Sequence, residues 1–303
     1  MAEHTALLQA FAEALRAHDR SAATIKHYLS DLRQFAAWFE QHTGELFSVA
    51  AVTEYDVREW RDDLAARMKP ATVNRKLAAL AALYRWAVET GQVPQDPTRH
   101  ISGIAQQPTA PKALSSQDLT RILRKAHQGK NRRDIALLEL LAATGLRVSE
   151  TAGLRVGDIE LRERSGWATV WQGKGRKQRR VPVHLKARHA LWEYLQERGF
   201  PPKQPLPRRP DPQAELPLFV SQKGGAMTPY AVWYTVRKYA QQANVAGVSP
   251  HTFRHTVATR LVRDPKVDLV TAATFLGHSR LDTTARYSRP SEEDLTEAAK
   301  RLE

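Results

Sequence analysis

A single tyrosine, Tyr287, stands in the segment FLGHSRLDTTARYSRP, nine positions after His278 and among arginines at 280, 286 and 289. A free phenol, with a pKa of about 10, is protonated at neutral pH, so it attacks nothing unless a base or a strong positive potential accompanies it. The ordinary alternative is a ring packed on the core with its hydroxyl satisfied locally. Whether Tyr287 is a nucleophile therefore depends on what the rest of the chain supplies.

Three other stretches carry groups suited to an anionic substrate. In PHTFRHTVATRLV, His251 and Arg254 are three apart at a helix start, on one face and beside a positive dipole end. In AATGLRVSETAGL, Arg147 follows a glycine that ends an apolar helix and sits between Leu146 and Val148, an odd place for a merely solvated charge. In GKGRKQRRVPV, the cations Lys174, Arg176, Lys177, Arg179 and Arg180 crowd together without one acid, and like charges on a short hairpin repel unless an anion joins them. Taken singly, each has a plainer reading: a solvated His/Arg face, a surface turn, an exposed charge run. His278 and His255 would each, alone, be structural histidines.

The composition narrows the substrate. The chain of 303 residues has a formal net charge of +14, which makes a polyanion the expected partner. Residues 1–102 hold 12 basic and 13 acidic groups, so the whole excess lies in the second part. The cations occupy turns and loops rather than a basic amphipathic helix, which favours nucleic acid over a membrane surface. With no cysteine, disulfides, thiolate metal sites and cysteine nucleophiles are excluded. The acids near the motifs, Glu150 and Asp282, stand apart from one another, unlike the carboxylate clusters of two-metal nucleases, so no metal and no cofactor is expected. Glu150 is expected to orient a cation of the site or to begin its helix. The first residues read as an amphipathic helix and no apolar run approaches a membrane span, which predicts a soluble, cytoplasmic protein.

The elements that must position these groups are mainly α-helical. Apolar residues recur at three and four through residues 5–98, giving four helices, with Ser21 capping the second, Gly44 and Gly91 closing two, and Pro70 opening the last. A Pro-, Gln- and Thr-rich stretch marks a linker at 105–113 between a unit at 1–104 and a second at 114–303. The second unit opens with Ser115 and Asp118 at capping-box spacing. It continues with a buried helix, a β-hairpin from GWATVWQ and RRVPVHL, and helices that include one capped by Thr228 with Pro229 in first position. Between them, seven prolines in residues 200–217 predict a loop without regular structure. The fold class is mainly α, with one small antiparallel β-sheet in the second unit.

In their order and spacing, Arg147, Lys174, His251, Arg254, His278 and Tyr287 resemble the signature of the tyrosine recombinase, or phage-integrase, family. ATGLRVSE, GKGRKQRRVPV, PHTFRHTVAT and LGHSRLDTTARY match its motif boxes across residues 140–288, and the first unit looks like the family's core-binding domain. Size and spacing are nearest to Xer-type resolvases and small integrases. The resemblance implies Arg147 and Arg254 as clamps on a scissile phosphate, Lys174 as the acid for the leaving 5′-hydroxyl, His251 as a proton-transfer group, His278 as a phosphate donor and Tyr287 as nucleophile.

It further implies site-specific recombination of double-stranded DNA through a 3′-phosphotyrosine and a Holliday junction, by a homo-tetramer or a hetero-tetramer with a second recombinase. The amphipathic tail SEEDLTEAAKRLE would then be exchanged with a neighbour, against docking on its own domain. DNA contacts are expected from Arg176, Lys177, Arg179 and Arg180 and, because the first unit is not net basic, from a local face there such as Lys69, Arg75 and Lys76. The competing readings are a type IB topoisomerase-like relaxer and a catalytically silent relative that occupies recombination sites.

Overall fold

The computed structural model describes residues 2–105, 113–171, 178–201, 205–278, 280–285 and 287–288. Lys174, Arg176 and Lys177, the tail at 291–303 and most of the expected linker lie outside the described residues. The chain divides into two compact units, Met1–Pro108 and Thr109–Glu303. No helix among the described residues is long and apolar enough to cross a membrane.

The first unit consists of α1 (Ala2–Ala17), α2 (Ala22–Thr43), α3 (Glu54–Arg67) and α4 (Pro70–Glu89). Their ends follow from local chemistry. The Ser21 hydroxyl accepts from the Thr24 amide at 3.1 Å, and Gly44, at φ 75°, closes α2 with its amide on the Glu40 carbonyl. Thr53 and Asp56 form a reciprocal capping box on α3, and Pro70 takes the first position of α4, where its missing N–H costs nothing. Phe35, Phe39, Trp60, Leu80, Leu83 and Tyr84 fill the core, Phe35 meeting Trp60 edge-on at 4.8 Å.

The second unit begins with α5 (Ser116–Gln128), α6 (Arg132–Thr144) and the short α7 (Val148–Gly153). The sheet follows as β1 (Ile159–Leu161), β2 (Gly166–Trp171) and β3 (Gln178–Pro182). The chain then adds α8 (Leu185–Glu197), α9 (Pro229–Gln242), α10 (Pro250–Arg263), α11 (Leu269–Leu276) and α12 (Leu281–Ala285). The sheet is antiparallel in order β1-β2-β3, with Ile159 opposite Ala168 and Trp171 opposite Gln178. Gly166, Ala168 and Val170 alternate inward from β2. α6 is buried on nearly every side, which is why apolar residues dominate its sequence. Thr228 caps α9 through the Ala231 amide at 3.1 Å, with Pro229 in first position.

Two local expectations change. The Ser115 hydroxyl accepts from the Asp118 amide at 3.0 Å, but the Asp118 carboxylate returns to that hydroxyl at 2.8 Å rather than to the backbone, so only half of a capping box forms. The proline-rich loop is more regular than its composition predicts: Pro212–Glu215 is a single 3-10 turn, nucleated by Asp211, whose carboxylate accepts from the Gln213 amide at 2.8 Å. Ala214 of that turn is wholly buried against Gly157, where an added Cβ would come within 2.7 Å of the Ala214 Cβ. The loop is thus packed against the 3-10 turn Val156–Asp158 that leads into β1.

Candidate active site

The site assembles at the C-terminal ends of two helices. α6 stops at Gly145, whose φ of 58° turns the chain so that Leu146 plugs the core and Arg147 emerges on the far side. α11 stops at Gly277, again left-handed at φ 68°. Helix C-termini carry unpaired carbonyls and a negative dipole end, and here guanidiniums satisfy them. Arg254, from the middle of α10 and only 4% exposed, donates to the Gly145 carbonyl at 2.8 Å and the Leu276 carbonyl at 2.6 Å. Arg147 donates to the Gly277 carbonyl at 3.1 Å, and Arg179 of β3 to the Phe275 carbonyl at 3.4 Å. Three consecutive carbonyls therefore hold three arginines that come from three separate parts of the chain.

Glu150 is the counter-charge. Its carboxylate accepts the Arg147 amide at 2.8 Å, which starts α7, and also the Arg147 guanidinium at 2.8 Å. Burial opposes its ionisation, yet the hydrogen bonds from Arg179 and from Arg147 outweigh that and hold its carboxyl at about 2. Both expected roles of Glu150, orienting a cation and beginning a helix, fall to the same side chain. Three guanidiniums against one carboxylate leave a positive surplus. Burial and the neighbouring Arg147 lower the Arg254 guanidinium to about 10, which still leaves it charged at neutral pH.

Tyr287 lies beside this cluster, 8% exposed, with its hydroxyl 2.7 Å from Nδ1 of His255. His278 stacks on the phenol ring, 7° from parallel with centroids 6.2 Å apart, and its Nδ1 is 2.8 Å from the Thr284 hydroxyl. Burial, then Arg254, Arg147 and Arg179, push the His278 imidazole down to about 4, so it is neutral at physiological pH. The structure thus brings Arg147, Arg254, His278 and Tyr287 together. His251, on the first turn of α10, is exposed.

Two expected DNA contacts are engaged elsewhere, and this corrects the reading of charge alone. Arg179 is nearly buried and forks onto Glu150. Lys76 is 3% exposed and donates to Asp31 at 3.1 Å and Gln34 at 2.6 Å, an ion pair between α4 and α2 inside the first unit. Lys69 is exposed at the start of α4, and Arg75 is partly exposed while bonded to the other oxygen of Asp31. Arg180 faces solvent over the Trp167 ring at 4.8 Å and reaches Glu160 at 2.9 Å.

Sequence reasoning takes His255 for a structural histidine, and the structure instead sets it against the Tyr287 hydroxyl; its only signal is its adjacency to Arg254. Sequence reasoning passes over the outer face of α9, where Tyr230 and Tyr234 are 70% and 58% exposed and Arg237 stacks over Trp233 at 5.0 Å. Among the described residues, no group of three or more histidines and carboxylates could hold a metal ion.

A phenol set against a surplus of guanidiniums is chemistry suited to a phosphate anion. Residues 112–294 match the model of the phage integrase family, and residues 7–92 match its N-terminal SAM-like domain. The tyrosine recombinase XerD of Ralstonia nicotianae is 33% identical over 297 residues, covering 96% of this chain and 92% of that protein. XerC of Pelobacter propionicus is 32% identical over 280 residues, covering 91% of this chain and 88% of that protein. In fold, the post-cleavage complex of XerH site-specific recombinase on a palindromic difH substrate aligns with a TM-score of 0.72 at 22% identity, over 97% of this chain and 95% of that one. The chain belongs to the phage integrase family and is an Xer-like tyrosine recombinase, an enzyme of site-specific recombination.

Proposed function

We propose that this chain cuts and rejoins double-stranded DNA with Tyr287 as its nucleophile. The observation that carries the reading is the buried phenol beside three guanidiniums balanced by a single carboxylate. A phosphodiester brings one negative charge and its pentacoordinate transition state gathers a second, so the surplus matches the charge that develops. Arg147 and Arg254 keep N–H groups beyond those on the carbonyls and fork onto the nonbridging oxygens. Neutral His278 donates a further hydrogen bond to phosphate, Lys174 protonates the leaving 5′-oxygen and His251 assists proton transfer at the exposed edge.

The product is a 3′-phosphotyrosine, which keeps the energy of the diester bond, so a second 5′-hydroxyl reverses the step and joins strands without ATP. Exchange between two duplexes passes through a Holliday junction and needs several protomers. We assign a tetramer, of one chain or with a second recombinase, with the tail at 291–303 exchanged between neighbours. Arg176, Lys177, Arg180, Lys69, Arg75 and the aromatic, cationic face of α9 contact the duplex. Phosphate contacts dominate such affinity, which falls steeply with salt. We assign the protein to the cytoplasm, at the nucleoid, where its DNA substrate lies.

Covalent capture tests the reading. Protein is mixed with nicked fragments of its own genome and denatured, and the linked strands are sequenced, with Tyr287→Phe alongside. Adducts on 3′ ends that vanish in the variant are expected, and they name the site as well. Adducts that persist assign the chemistry to another residue, and none from either protein overturns the enzymatic assignment.

A further inference from the structure

We propose that His255 is the base that takes the proton of Tyr287 as the phenol attacks phosphate; the assignment rests on the recombinase reading above. A phenol needs an acceptor in hydrogen-bonding reach and in the plane of the acceptor's lone pair. His255 is within that reach: its Nδ1 lies 2.7 Å from the Tyr287 oxygen, with the two rings tilted by 46° rather than stacked and their centroids 5.5 Å apart, and in the Nε2–H tautomer Nδ1 is the acceptor.

The neighbouring groups do not. His278 presents its face to the phenol ring, and the lone pair of an imidazole nitrogen lies in the ring plane, so a parallel stack offers the hydroxyl no acceptor. Its Nδ1 is also occupied by Thr284. Both oxygens of Glu150 are taken by Arg147 and Arg179. The guanidiniums of Arg147, Arg179 and Arg254 are donors without a lone pair to offer.

The placement couples base to clamp. His255 follows Arg254 on the same turn of α10, and Arg254 is pinned at both ends of its fork by the Gly145 and Leu276 carbonyls. A helix so fixed sets the base and the phosphate donor in one rigid piece. In the step itself, the Tyr287 O–H bond breaks with its proton passing to Nδ1. The phenolic oxygen bonds to phosphorus, and the bond from phosphorus to the 5′-oxygen breaks with its electron pair on that oxygen, which Lys174 protonates. His255 is left as imidazolium. On rejoining, it returns its proton to the departing phenolate, acting as the acid of the reverse step.

The test is single-turnover cleavage of a nicked duplex that carries the captured site, using the full chain. Besides His255→Ala, His255→Asn keeps a polar side chain near the phenol but no base. Both are expected to cleave about 100-fold slower or worse, with DNA binding and thermal melting near those of the wild type. A duplex with sulfur in place of the leaving 5′-oxygen needs no acid. It is expected to restore Lys174→Ala and leave the His255 variants slow. Replacing Tyr287 by 3-fluorotyrosine, a more acidic phenol, is expected to recover part of the rate in His255→Asn.

Rescue of the His255 variants by the sulfur substrate would move His255 to the leaving-group side and overturn the proposal. So would wild-type rates in His255→Asn, or a loss that fluorotyrosine leaves untouched. These results leave wild-type cleavage intact, whereas absence of any wild-type adduct overturns the recombinase reading and the base with it.

Discussion

Glu150 receives both terminal nitrogens of Arg179, at 2.9 and 2.8 Å, across 29 residues of sequence. It also bonds Arg147, so one carboxylate spaces two of the three guanidiniums. Glu150→Gln keeps the shape but removes the charge that the cluster opposes. Breaking a pair this enclosed is expected to cost about 3 kcal/mol of folding stability. Bound DNA should recover part of that loss, because phosphate supplies a substitute anion. Urea unfolding of both proteins, with and without duplex, checks this; equal losses in the two conditions would contradict it.

The acid response of stability follows chiefly from two groups of the site, His278 and Glu150. His278 has a folded value of about 4, below the ordinary 6.5, so the unfolded chain binds the extra proton first. Its contribution is fully present above about pH 6.5 and is lost as pH falls toward 4. Glu150, held at about 2, contributes stability that is present above its ordinary 4.5 and lost as pH falls toward 2. Melting temperature is therefore expected to fall in two successive acid steps. His278→Gln should flatten the upper one alone, and an unchanged profile in that variant would assign the upper step to another group.

Gly277→Ala tests the end of α11. The residue has a φ of 68°, and an added Cβ would lie 2.7 Å from Nη1 of Arg179. An L side chain in the left-handed region costs about 1–2 kcal/mol before any clash. A loss of at least that size is expected, with slower cleavage because Arg179 must move and Glu150 with it. Asparagine, which tolerates left-handed backbone, should not restore activity, since the clash remains.

The proline-rich loop supports the base of the hairpin. Arg209 lies over the Trp171 ring at 5.2 Å, bonds Glu215 and reaches Asp158 at 3.4 Å, while the Trp171 indole N–H donates to Asp158 at 2.8 Å. Trp171 and Gln178 are the last described pair before Lys174. Arg209→Ala is expected to slow cleavage several-fold with little change in DNA affinity, and the 5′-sulfur substrate should mask the defect, because it removes the need for Lys174.

Much of this was legible beforehand, for reasons particular to each element. The four helices of the first unit declared themselves through apolar spacing, with Ser21, Gly44 and Pro70 as punctuation. Arg147, Arg254, His278 and Tyr287 were marked by residue type in a fixed order. What sequence could not show was pairing at a distance. Arg179 looked like one more cation for DNA because Glu150 lies on another element, and Lys76 likewise because Asp31 is 45 residues away. His255 was hidden for the opposite reason: its neighbour Arg254 is adjacent in sequence but points elsewhere round the helix. β1, three residues long, is too short for an alternating pattern to register.

The triplet of carbonyls at Phe275, Leu276 and Gly277 also fixes an order of events during synthesis. All three arginines are translated before these three carbonyls, and Tyr287, the proposed nucleophile, follows shortly after. A nascent chain that has already exposed its cationic residues has neither the three arginines closed on these carbonyls nor Tyr287. On the proposed assignment of Tyr287, the protein can therefore meet DNA while still growing without being able to nick it, and the capacity to cut arrives only when α11 and Tyr287 emerge together.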